Sequence, residues 1–99
     1  MKARLSARAE REMQRSDAWW REHRPEAPDL FLDELQAALR LLVTAPGTGA
    51  PYGGYRGRIV RRVPMQATRH QLYYVVDERG LHVLSIWGAP RRRPPSFSR

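Results

Sequence analysis

The chain of 99 residues has no cysteine, which excludes disulfides, cysteine nucleophiles and thiolate metal sites and agrees with a reducing compartment. Lysine is nearly missing too: Lys2 stands alone beside 17 arginines. Long apolar runs are also absent. The opening MKARLSARAEREM lacks the stretch that a signal peptide or a membrane span requires, so the expectation is a cytoplasmic protein with no membrane partner. Histidine is scarce and scattered. His23, His70 and His82 show none of the paired spacings of metal ligands on one element, and neither a metal nor any other cofactor is expected. Nor do the serines, aspartates and glutamates fall into the spacing of a hydrolytic dyad or triad.

What the chain has in excess is positive charge. Eighteen basic residues against ten acidic ones give a formal net charge of +8, a surface suited to polyanions or to an acidic protein. The planar guanidinium matches phosphate and carboxylate, and its pKa is too high for it to serve as a general base at neutral pH. Arginine enrichment can equally reflect a GC-rich genome and a solvated surface. The length fits one domain, and a core of this size leaves a modest stability margin.

Residues 2–5 can form a short first strand, followed by Ser6 as the N-cap of a helix over about 7–23. Ala9, Met13 and Trp20 fall on one face of that helix, with arginines and glutamates opposite and Trp19 at the margin. Pro25 and Pro28 end it and admit a second helix, which makes a helical hairpin. In the second helix Phe31, Leu35, Ala38, Leu39 and Leu42 form an apolar stripe, and Asp29, Asp33 and Glu34 complement the dipole at its start. Residues 44–57, TAPGTGAPYGGYRG, read as a loop of several turns. Three strands are predicted beyond it, over 58–65, 69–76 and 81–88, with DERG at 77–80 as the turn between the last two. Strand alternation puts His70, Leu72, Tyr74 and Val76 on one face, the better core candidate, and Arg69, Gln71, Tyr73 and Val75 on the other. Residues 1–88 are expected to form the domain and residues 89–99, rich in proline and arginine, an extended and partly disordered tail.

The segments WWREHRP at 19–25, LFLDELQAALRLL at 30–42, TRHQLYYVVD at 68–77 and VLSIWGAPRRRPP at 83–95, in the order strand, helix, helix, strand, strand, strand, resemble the RelE/ParE toxin superfamily of bacterial type II toxin–antitoxin systems, and ParE-like members most. The resemblance covers nearly the whole chain. It implies an α+β fold in which a helical hairpin packs on one face of a small sheet whose C-terminal part is a three-stranded antiparallel meander. It also implies a neutralising antitoxin as partner, and an acidic, partly disordered one would suit a +8 surface. Members usually carry a histidine after the tryptophan of the last strand, where this chain has Gly88.

The superfamily divides by target. RelE-like members cleave mRNA on the ribosome by driving the ribose 2′-hydroxyl onto its own phosphate, a reaction that needs a base, an acid and cations on the phosphorane. On that reading Arg69, His70, Arg91 and Arg92 would be the catalytic candidates, although Gln71 stands where the third-strand arginine belongs and the lysines of RelE are missing. His70 is the one central residue with a suitable unperturbed pKa, and its strand face favours burial. ParE-like members bind DNA gyrase and need a recognition surface but no catalytic groups. The expected contacts are then Arg62, Arg69, Tyr73, Trp87, Arg91, Arg92 and Arg93, because arginine and tryptophan carry disproportionate interface energy. A third class, a small basic RNA-binding protein, would need exposed rings on the sheet for base stacking, for which Tyr52, Tyr55 and Tyr73 are the candidates.

Overall fold

The computed structural model describes residues 1–88 and 95–97. Among them the elements are β1 (Ala3–Leu5), α1 (Ala7–His23), α2 (Leu30–Thr44), a single 3-10 turn at Pro46–Thr48, β2 (Ala50–Tyr55), β3 (Arg58–Met65), β4 (His70–Asp77) and β5 (Gly80–Gly88). The five strands form one sheet in the order β1-β5-β4-β3-β2, with β1 parallel to β5 and the other pairs antiparallel. The class is α+β with the helices packed on the sheet, as the sequence predicts.

The helix starts where its cap requires. Ser6 Oγ accepts the Ala9 N–H at 3.0 Å, and the same hydroxyl donates to the Leu84 carbonyl at 3.0 Å, which ties the head of α1 to the sheet. The apolar stripes of both helices meet β3, β4 and β5. Ala9, Phe31, Leu35, Leu42, Val63, Met65, Leu72, Tyr74, Leu81, Val83 and Ile86 make the main core, and Met13, Trp20, Ala38, Leu39 and Val76 pack against it. Trp19 stays exposed and stacks on His23, with ring centroids 4.6 Å apart.

The region read as a loop over 44–57 contains a strand, so the meander has four strands instead of three. Proline and glycine hide β2 in the sequence, yet it is an edge strand, where Pro51 need not donate to a ladder, and a register shift between Pro51 and Gly53 absorbs the irregularity. A two-residue turn, with Arg56 at φ 51° and Gly57 at φ 77°, then leads into β3. Preceding β2, the Tyr74 hydroxyl donates to the Pro46 carbonyl at 2.6 Å and accepts the Gly49 N–H at 2.9 Å.

A second irregularity shapes β5. Tyr73 pairs with Ser85 and Tyr74 with Val83, so one residue of β5 is extra. Alternation resets there: Leu81, Val83 and Ile86 join the helix-side core, whereas Leu84 and Trp87 belong to the opposite face. The carboxylate of Glu12, itself buried, reaches across from α1 to the bulge and accepts Ser85 Oγ–H at 2.8 Å and Ile86 N–H at 2.9 Å. At the other end of β5, Gly80 has φ 133° and lies against the Lys2 carbonyl, where a side chain would collide with the incoming β1.

Candidate recognition surface

Two of the expected contacts, Arg69 and Trp87, lie at the end of the sheet where β3 turns into β4 and β5 finishes. Pro64, Met65, Gln66, Arg69, His70, Gln71 and Trp87 line an open cleft there of about 360 Å³. Pro64, Gln71 and Trp87 form one rung across three strands, since Pro64 pairs with Gln71 and Gln71 with Trp87. Their side chains give the cleft an apolar ring, an amide and an indole.

Arg69 was expected as the first residue of a strand and instead occupies the turn before β4, in the left-handed region at φ 62°. A non-glycine residue in that region is uncommon and carries a conformational cost. Here the cost is offset by Glu34. Its carboxylate, on α2, accepts the N–H of Ala67 at 2.7 Å, the N–H of Thr68 at 3.0 Å and the Thr68 hydroxyl at 2.5 Å. Glu34 thus fixes the turn that presents Arg69 at the cleft, a role that its place at the start of α2 did not announce.

His70 sits behind the cleft with 6% of its surface exposed. Its Nδ1 lies 2.9 Å from the Thr68 carbonyl, which can only accept, so Nδ1 carries a proton. Its Nε2 lies 3.0 Å from Ser16 Oγ of α1, and Phe31 packs on the ring at 4.8 Å. The face assignment from alternation therefore holds: both ring nitrogens are engaged and the imidazole couples α1, α2 and β4. Across the ladder its partner is Gly88, and a Cβ at position 88 would lie 2.8 Å from His70 Nε2. A side chain at position 88 would therefore compete with the ring of His70 for the space beside it.

Of the other predicted contacts, Arg62 is exposed on the sheet face opposite the helices, with its guanidinium 5.2 Å from the centre of the Tyr52 ring. Trp87 is half-buried at the cleft wall. Tyr73, read both as a target contact and as a stacking platform, is fully buried. Burial pushes its phenol above the ordinary pKa, with Arg62 opposing. Tyr52 and Tyr55 are half-buried beside it, so the exposed stacking platform of the RNA-binding reading does not form. Arg91, Arg92 and Arg93 lie outside the described residues. The structure brings Arg69, His70 and Trp87 together at one cleft and puts Arg62 and Tyr73 opposite each other on β3 and β4.

A family model described as ParE toxin of type II toxin-antitoxin system, parDE, matches residues 3–92. A search of curated proteins gives no match.

Proposed function

Because the chain belongs to the ParE toxin family of type II toxin–antitoxin systems, we propose that it inhibits growth in the bacterial cytoplasm by binding DNA gyrase, without catalysing a reaction of its own. Membership makes it a toxin with a cognate antitoxin as partner; the target and the mode of action are the proposal. The observation that carries it is the state of His70. An mRNA endonuclease acting through the 2′-hydroxyl needs a group free to exchange protons with substrate. The one central imidazole is instead buried and bonded at both nitrogens, to Thr68 and Ser16. What the rim offers is a surface: Arg69 held in place by the Glu34-capped turn, Gln71, and the indole of Trp87. Arg91, Arg92 and Arg93 follow β5 in the sequence after Ala89 and Pro90 and extend the same reading. The described residues contain no helix long and apolar enough to cross a membrane.

The test is inducible expression in a bacterial host scored for growth, together with supercoiling and cleavage assays of purified gyrase with the purified protein added. Growth arrest with accumulation of gyrase-cleaved DNA is expected. Arrest with gyrase unaffected and mRNA cut on ribosomes would overturn the proposal in favour of RelE-like chemistry, and would make Arg69 and His70 the residues to substitute next.

A further inference from the structure

One flank of α1 carries a row of side chains that neither the core nor an ion pair uses. Arg11, Arg15, Trp19 and His23 follow one another at four-residue spacing, so they line up along a single ridge of the helix, about 6 Å apart. All four are exposed, and Arg11 and Arg15 have no ion pair among the described residues. Trp19, with 46% of its surface exposed, is the one aromatic ring among the large apolar side chains that the described residues leave in solvent. None of the four lines the cleft.

The rings at the end of this ridge are held in place. His23 Nδ1 lies 3.0 Å from the Trp19 carbonyl, which can only accept, so Nδ1 carries a proton and the imidazole is tethered beside the indole. Centroids 4.6 Å apart and planes within 14° make the pair a flat stack. Trp20, packed against the main core, meets Trp19 edge-on at 5.7 Å and 71° and anchors it. A platform ordered before any ligand arrives loses less entropy on binding. Charge is sorted around the helix in the same sense. At about 100° per residue, Glu10 and Asp17 fall on the far flank, where Arg21 engages Asp17. Glu12 turns inward, which leaves Glu22 as the exposed acidic residue beside the ridge.

We propose that the ridge binds a single strand of DNA, with an unpaired base extending the stack of Trp19 and His23 and the neighbouring phosphates meeting Arg15 and Arg11. The guanidinium fork matches a phosphate, and a parallel ring pair accepts a third plane whatever the base. An acidic peptide would satisfy the arginines without using the stack. Duplex DNA would satisfy them too, but its bases already stack on one another. DNA is preferred to RNA because gyrase holds DNA, and in that choice the inference rests on the proposed function; the ridge itself does not.

The probe is a fluorescently labelled, mixed-sequence DNA strand of about ten nucleotides, titrated with the whole chain and followed by anisotropy. The strand should bind more tightly than its duplex, although the duplex carries the denser charge. Trp19→Ala should weaken binding about tenfold and Trp19→Phe should restore most of it. Arg11→Gln and Arg15→Gln should each take about 0.7 off the slope of log affinity against log salt. Glu22→Gln should tighten binding, whereas Glu10→Gln, the same change of charge on the far flank, should leave it nearly as it was. Arg56→Gln, beside the β2 edge of the sheet, is the control for general basicity. The ridge residues are exposed, so these variants should melt like the unaltered chain. Tighter binding of the duplex, of the same sequence as RNA or of an acidic peptide of equal charge would overturn the proposal. So would an unchanged affinity in Trp19→Ala, or an equal loss in Arg56→Gln and Arg15→Gln. Gyrase is absent from this titration, so its failure leaves the gyrase reading standing, and a failed gyrase assay leaves the measured binding standing.

Discussion

Glu12 shows how one residue can be decisive without being conspicuous in the sequence. Among the glutamates and arginines of α1 it looks like another surface charge, yet it is 2% exposed and its carboxylate holds the bulge of β5 through Ser85 and Ile86, with Arg8 Nε 3.5 Å away as its cation. Glu12→Ala would strand a buried N–H and a buried hydroxyl, and a loss of about 2–4 kcal/mol in denaturant unfolding is expected. Gly88 makes a complementary prediction by close approach. An added methyl would meet His70 Nε2 at 2.8 Å and Cδ2 at 3.0 Å, and the ring cannot step aside without giving up Ser16 or Thr68. Gly88→Ala should therefore destabilise the fold by about 1–3 kcal/mol, measured by thermal or chemical unfolding. Wild-type stability would mean that the imidazole has freedom the hydrogen bonds deny it.

At the scale of elements, α2 separates a buried from an exposed leucine one residue apart. Leu42 is 0% exposed in the core and Leu41 is 54% exposed. Leu42→Ala should cost about 2–5 kcal/mol, while Leu41→Ala should leave unfolding unchanged within about 0.5 kcal/mol. The β4–β5 hairpin has a dependence on pH. His82 Nε2 is 2.9 Å from Asp77 Oδ1, which also accepts the Arg79 N–H at 2.8 Å, and these bonds, that of His82 foremost, hold the Asp77 carboxyl below its ordinary value of 3.8. A carboxylate with a folded pKa below its unfolded one contributes stability that is fully present above the unfolded value and lost as pH falls through the folded one. Melting temperatures recorded from neutral pH down through 3.8 should fall more steeply for the unaltered chain than for Asp77→Asn. These elements were legible because each follows a local rule: Ser6 before α1, the three-and-four spacing of Phe31, Leu35 and Leu42, the alternation from His70 to Val76. The parts that escaped depend on partners distant in sequence. β2 exists because β3 offers it an edge, Arg69 takes a left-handed turn because Glu34 caps it, and Tyr73 is buried because Phe97 covers it, 24 residues downstream in the sequence. Arg69 and Trp87 could be singled out from the sequence, but the cleft that brings them together could not.

For the molecule as a whole, the question is what the net charge of +8 does. Some of the positive charge is used internally: Arg8 with Glu12, Arg21 with Asp17 and Asp29, and Arg58 with Glu78. Apart from the buried Glu12 and the half-buried Asp17, the members of these pairs are exposed, and exposed pairs contribute little to stability. Arg4, Arg11, Arg15, Arg24 and Arg69 have no ion pair among the described residues, which leaves unneutralised charge on α1, on the β1 edge and at the cleft. Charge distributed in this way accelerates encounter with an acidic surface and is screened beyond about 8 Å at physiological ionic strength. Two consequences can be separated by experiment. If Arg91, Arg92 and Arg93 belong to the target contact, replacing all three with alanine should relieve growth inhibition in a protein that is still soluble and melts as before, since a charge outside a packed core contributes little to stability. If instead the arginines act only by steering, the triple variant should keep its full inhibitory effect at saturating concentration and lose only association rate, by a factor that shrinks as salt is raised. Dose–response curves against gyrase at about 0.05 M and about 0.3 M salt distinguish the two: a contact lowers the plateau potency at both concentrations, while steering leaves potency at high salt indistinguishable from that of the unaltered chain.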